Sequence, residues 1–154
     1  HCAGASGVSH LHIVGSVRCV YETGSGLCGC GRHATVESAA GGRAIAAAAQ
    51  AAGYDVDARA VSEAALAGAP WAEVILARSS RAVATLVADL TTILGLDGVA
   101  IGGSLGLSPT YIDRVRLALS SEPALFQVPV MVADFGTDAP LIGALAIEQS
   151  AMLR

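Results

Sequence analysis

The chain of 154 residues contains no lysine, and its positive charge rests on nine arginines and four histidines. Charged residues of all kinds make up only 14%, against about a quarter in a typical soluble domain. A formal net charge of −4 and a pI near 5.4, with no clustered basic stretch, exclude the electrostatic footprint of a nucleic-acid surface. Long apolar runs are also missing. Charged residues, glycine or proline interrupt each one before the ~18 residues that a membrane-spanning helix needs. The opening residues His1-Cys2-Ala3-Gly4 have neither a basic segment nor an apolar one, so no signal peptide is expected. No internal repeat and no long linker divides the sequence.

What the chain has in excess is apolar surface. Hydrophobic residues reach 53% with a mean hydropathy of +0.59, in a length that makes one domain or a piece of a larger one. So apolar a composition implies surface hidden against a second lobe or a second subunit. The four cysteines do not read as a disulfide framework, because a Cys-x-Cys pair is poorly placed to bridge itself and the chain is not small or loop-stapled. A reducing cytoplasm is the expected compartment.

Two stretches carry chemistry. Cys28-Gly29-Cys30-Gly31-Arg32-His33-Ala34-Thr35-Val36-Glu37 sets two thiols one residue apart, with a carboxylate seven residues after the second. Two soft donors cannot complete a tetrahedral zinc site, which takes four nitrogen or sulfur ligands. His10, His33, Cys19 and Cys2 are the candidates for the rest. Ala100-Ile101-Gly102-Gly103-Ser104-Leu105-Gly106-Leu107 is an apolar run entering a glycine turn, a layout that lets backbone lie close to a ligand.

Residues 1–34 are rich in glycine, serine, cysteine and histidine, with strand-like pieces at 11–14 and 17–21, and read as a loop-rich segment with edge strands. From Thr35 the character turns helical. Thr35 can cap a helix that carries Glu37 in its first turn, and good helix formers run from Arg43 to Ala52 before Gly53. A short helix is expected at 58–67 and a long one at 71–94, started by Pro70 and stopped by Gly95. The long helix has an apolar side (Val83, Leu86, Val87, Leu90, Ile93, Leu94) and a polar side (Arg78, Arg81, Thr85, Asp89, Thr92) read as a solvated face. A buried strand is expected at Val99–Ile101. A helix at 110–119 follows, with Ser108 as cap and Tyr111, Ile112, Val115 and Leu119 inward. Then come an edge strand over 126–133, marked by Pro129, and a final helix over 138–153. Strands alternating with helices give an α/β architecture.

The Cys28–Glu37 stretch resembles the Cys-x-Cys-Gly-x-x-Gly-Cys-x-Glu signature of the ROK family of bacterial sugar kinases and repressors. Gly42–Gln50, Ala100–Leu107 and Asp138–Ala144 keep the family's order. The likeness runs from about Thr23 onward and corresponds to the C-terminal half of such a kinase, nearest to those that act on N-acetylmannosamine. The resemblance implies the C-terminal lobe of an actin-like, ribonuclease-H-type fold over residues 1–154, with the N-terminal lobe absent. It implies an ATP- and Mg²⁺-dependent transfer of phosphate to the 6-hydroxyl of an N-acyl hexose in the full-length protein, and a homodimer. It assigns sugar contacts to Glu37 and His10, and nucleotide contacts to Gly102, Gly103 and Ser104. A structural zinc would be held by His10, Cys28, Cys30 and His33. The pattern is not complete: Ala34 stands where the signature has glycine, Thr35 where it has the third cysteine, and Gly7-Val8-Ser9-His10 is all that is left of the family's Glu-x-Gly-His. The phosphate loop and general-base aspartate lie in the other half, so this chain alone is expected not to phosphorylate. The same resemblance allows a second origin, the sugar-sensing and dimerising part of a ROK repressor, and a third, a catalytically dead pseudokinase.

Overall fold

A computed structural model describes residues 26–28 and 30–152. The elements are α1 (Val36–Ala40), α2 (Gly42–Ala51), α3 (Ala58–Leu66), α4 (Pro70–Leu94), β1 (Val99–Ile101), α5 (Gly103–Gly106), α6 (Pro109–Leu119), β2 (Val130–Val132) and α7 (Ala139–Met152). Single 3₁₀ turns occupy Ala124–Phe126 and Gly136–Asp138. The strands expected at 11–14 and 17–21 lie outside the described residues.

The 25-residue α4 is the beam on which the rest is assembled, packing against α1, α2, α3 and α6. Pro70 occupies its first turn, where the missing N–H costs nothing, and Gly95 ends it in the left-handed conformation (φ 63°), donating to the Thr91 carbonyl at 2.9 Å. The residues it buries are mostly small: Ala72, Ser79, Ser80, Ala82, Ala84 and Ala88, with Leu76 and Val87. Small side chains let neighbouring helices come close, so larger ones from those neighbours, Ile45, Val61, Ile112 and Val115, fill the core completely. Ser79 satisfies its buried hydroxyl on the Tyr111 hydroxyl at 2.7 Å, across the α4–α6 contact. Burial pushes the Tyr111 phenol up from its ordinary range, and the bond from Ser79 partly opposes that. Glu73 pairs with Arg114 through both guanidinium Nη atoms. Residues 73 and 79 of α4 thus meet 114 and 111 of α6, and the two helices run antiparallel.

β1 and β2 form a parallel pair with Val99 opposite Val130, Ala100 opposite Met131 and Ile101 opposite Val132. Val99 N–H donates to the Pro129 carbonyl at 2.8 Å and Ala133 N–H to the Ile101 carbonyl at 3.0 Å. The backbone polar groups of Val130 and Val132 therefore face away from β1.

Helices 58–66, 70–94 and 109–119 stand close to where capping signals place them, and the four inward residues of α6 are the four it buries. Other expectations are corrected. The helical region after Thr35 is two helices, because Gly41 takes an extended conformation (φ −69°, ψ 151°) between them. A Cβ at Gly41 would lie 2.5 Å from the Glu37 carbonyl oxygen, so the break needs glycine. The α4 apolar stripe is displaced toward the alanines. Ile93 is 72% exposed, and on the supposedly solvated side one carboxylate oxygen of Asp89 is buried without a hydrogen-bond partner. β1 is half-exposed, not buried, with Ala100 open. The strand over 126–133 shrinks to three residues, since Phe126 closes a 3₁₀ turn.

Candidate functional site

The two chemistry-bearing stretches build up differently. Residues 26–28 and 30–34 form a tight hairpin. Leu27 pairs with His33 in an antiparallel bridge. Inside it, Cys28 N–H donates to the Arg32 carbonyl at 2.7 Å, and Gly31 N–H returns to the Cys28 carbonyl at 2.9 Å. Ala34 N–H closes the base on the Gly26 carbonyl at 2.8 Å. Gly31 adopts φ +87°, which glycine takes without penalty, and Ala34 adopts φ +58°, the left-handed region where an L side chain is strained. Alanine here thus holds a conformation that glycine, the signature's residue at this position, takes without strain.

Within the hairpin Cys28 is buried, while Cys30 and His33 are exposed. Thr35, in the position of the signature's third cysteine, is 1% exposed and engaged as the α1 cap. Its Oγ1 accepts from Ser38 N–H at 3.3 Å, and Ser38 Oγ donates to its carbonyl at 2.7 Å. Its hydroxyl serves the helix end, and a threonine hydroxyl belongs to none of the usual zinc donor types. No group of three or more histidine, cysteine or acidic residues gathers for a metal among the described residues. They do not complete a zinc site, and His10 lies outside them.

Glu37 follows in the first turn of α1, half-buried, a favourable place for a carboxylate at a helix start. Its carboxyl group folds back over Gly41: a Cβ there would sit 2.6 Å from Oε1. The packing of α1 on α4 carries Glu37 onto the central beam.

Gly102-Gly103-Ser104 stands at the carboxyl end of β1, the end of a parallel sheet where α/β folds bind ligands. Three glycines there have separate jobs. A Cβ at Gly102 would lie 3.5 Å from Ala133 Cβ, an ordinary van der Waals contact. Gly103 takes φ +82° with open space where its Cβ would be. Gly106 presses the single-turn α5 onto the strand, where a Cβ would lie 2.7 Å from Ile101 Cγ2. Open backbone at Gly103 and the exposed Ser104 suit close approach of a phosphate-bearing ligand.

The turn after β2, with its 3₁₀ segment Gly136–Asp138, packs against α5. Sequence reasoning left this second turn out of the site; the parallel pairing of the two strands is the signal that brings both turns to one end. Glu37 and the glycine turn sit on separate elements of one core, α1 on α4 and α5 on α6, with α4 and α6 in contact. An open groove of about 450 Å³ along β2, lined by Arg116, Leu119, Ser120 and residues 127–131, contains none of the residues assigned to sugar, nucleotide or zinc.

The sequence pattern of the ROK family matches residues 3–151. The chain belongs to the ROK family. It is 43% identical over 123 residues to the N-acetylmannosamine kinase of Citrobacter koseri, covering 80% of this chain and 42% of that kinase. With the N-acetylmannosamine kinase of an Escherichia coli strain it shares 40% identity over 127 residues, 82% of this chain and 44% of the relative. Among solved structures, the ROK hexokinase of Thermus thermophilus superposes with a TM-score of 0.68 at 28% identity, over 83% of this chain and 46% of the hexokinase. A ROK glucokinase of Streptomyces griseus, solved with glucose and AMPPNP, superposes with a TM-score of 0.65 at 25% identity, over 79% and 46%. The chain thus spans less than half the length of these relatives. Its architecture is the C-terminal lobe of the actin-like ROK sugar kinase fold.

Proposed function

We propose that this ROK chain is the C-terminal lobe of an ATP-dependent sugar kinase that, in its full-length form, phosphorylates the 6-hydroxyl of N-acetylmannosamine or a related N-acyl hexose. The observation that carries the reading is the 40–43% identity to N-acetylmannosamine kinases over about four fifths of the chain. The residues support it chemically. Glu37 is an ionisable acceptor on the central beam, fit to take hydrogen bonds from sugar hydroxyls. Gly102, Gly103 and Ser104 offer open backbone and a hydroxyl where a nucleotide phosphate or ribose would lie. ATP with Mg²⁺ supplies the transferable phosphoryl group and neutralises its developing charge; the role of this lobe is positioning. His10 completes the sugar contacts in this proposal. The protein works in the cytoplasm as a homodimer, with the N-terminal lobe closing the cleft.

A zinc on His10, Cys28, Cys30 and His33, as the family resemblance implies, would require Cys28, Cys30 and His33 to draw together from positions that do not gather for a metal among the described residues. Metal content of the purified full-length protein decides this. About one zinc per chain, lost on Cys28→Ser, supports the site, and a metal-free protein removes it.

A coupled assay of the full-length protein with ATP, Mg²⁺ and a panel of hexoses tests the kinase reading. Turnover greatest with N-acetylmannosamine, and abolished by Glu37→Ala, is expected. Sugar binding without turnover points instead to a sensor or a pseudokinase. No binding and no turnover with any hexose ends both readings.

A further inference from the structure

We infer that Arg116 is a positioning residue for the nucleotide-facing glycine turn, acting from the far edge of the sheet; the inference rests on the assignment of Gly102–Ser104 to ATP. The turn rests on short elements. It leaves a three-residue strand that pairs, among the described residues, only with the equally short β2, and α5 is one turn long. So short a ladder is marginal unless something else fixes it.

Arg116 provides that fixing. From α6 its Nε donates to the Val130 carbonyl at 2.9 Å and its Nη2 to the same oxygen at 2.7 Å, while Nη1 is held by Asp113 Oδ1 at 2.8 Å. Val130 is 3% exposed and its carbonyl faces away from β1, so without Arg116 that part-buried oxygen would lose two charge-assisted donors. The clamp ties β2 to α6, a helix already anchored on α4 by Tyr111, Ile112, Val115 and Leu119. Three residues after Val130, Ala133 donates its N–H to the Ile101 carbonyl at 3.0 Å, next to Gly102, and its Cβ lies 3.5 Å from where a Cβ on Gly102 would stand. A continuous path of hydrogen bonds and contact therefore runs from the guanidinium through β2 to the turn. Arg116 sits half-exposed on the outer side, and its ion pair with Asp113 is a solvated one; the carbonyl clamp, not that pair, transmits the constraint.

Full-length protein carrying Arg116→Ala, Arg116→Lys and Asp113→Asn tests this, read by steady-state kinetics and by amide hydrogen exchange. In Arg116→Ala the exchange protection of Val99 and Ala133 amides falls while that of the α4 amides holds, and the KM for ATP rises about fivefold with the sugar KM unchanged. Arg116→Lys, which keeps one cationic donor, recovers part of both, and Asp113→Asn has a weaker effect in the same direction. Unchanged protection at Val99 and Ala133, or ATP and sugar KM values rising together, overturns the inference. A wild-type protein without ATP turnover defeats the kinase reading instead, and the exchange measurement still decides whether Arg116 holds the sheet.

Discussion

At residue scale the hairpin places a non-glycine residue where the backbone favours glycine. Ala34 stands in the left-handed region at φ +58°, a conformation that costs a non-glycine residue about 1 kcal/mol. The neighbouring bonds from Ala34 N–H to Gly26 and from Cys28 N–H to Arg32 leave it no alternative. Ala34→Gly is therefore expected to stabilise the fold by about 0.5 kcal/mol, the relieved strain exceeding the added freedom of the unfolded chain. Ala34→Val, β-branched at the same φ, should destabilise by about 1 kcal/mol or more. Thermal unfolding of the two variants beside wild type checks the pair; a destabilising glycine would mean that Ala34 carries no strain. At the same scale Thr35, where the family signature has cysteine, serves as the α1 cap through its hydroxyl and carbonyl.

At the scale of elements, α4 and α6 show what was legible in the sequence and what was not. Pro70, Gly95, Ser108 and Pro109 are local signals acting within a turn of themselves, so both helices could be read off directly. Tyr111, Ile112, Val115 and Leu119 follow a single 3.6-residue period and became the buried face. The face of α4 was legible only in part: Val87 is buried and Arg78, Arg81 and Thr92 are exposed as the pattern indicates, but most of the core-facing residues are alanines and serines, which carry little hydropathy signal. The Glu73–Arg114 pair, forty-one residues apart, has no signature at all in one dimension, and neither does the grip of Arg116 on a backbone carbonyl. Of the site, the glycine turn was legible because glycine chemistry is local. The companion turn after β2 became visible only once the two strands were known to be parallel neighbours.

The Glu73–Arg114 pair also gives this scale its prediction. The bonds from Arg114 hold the Glu73 carboxyl below its usual range, and the same bonds raise the guanidinium. A carboxylate with a depressed folded-state pKa adds stability that is fully present above its unfolded value and is lost as pH falls through the folded one. Glu73 is 38% exposed along its side chain, so solvent screening reduces the contribution to about 0.5–1 kcal/mol. Glu73→Gln should lose that much at neutral pH, and the difference from wild type should close in the acid range below the ordinary glutamate value. Chemical denaturation at neutral and acid pH measures it; an equal deficit at both would assign the effect to packing instead of charge.

For the whole molecule, the decisive quantity is apolar surface left uncovered. Leu141 is 63% exposed and Leu145 51%, both on α7, and Phe135 just before it is 63% exposed. From Ala139 to Ile147 the sequence of α7 is apolar at every position, and a helix apolar all round is normally buried on all sides. Here its main contact is the 3₁₀ turn Gly136–Asp138. No single helix among the described residues is long and apolar enough to cross a membrane. On the two-lobed reading proposed above, a covering lobe accounts for this surface, in a family whose relatives are more than twice the matched length. Expressed alone, the chain should self-associate as its concentration rises, and Leu141→Glu with Leu145→Glu should make it monodisperse by light scattering. The same double substitution in the full-length protein should lower its melting temperature, because it places two carboxylates in a buried contact at a cost of several kcal/mol. If the full-length protein melts unchanged, α7 faces water there as well, and the two-lobed architecture must close over some other surface.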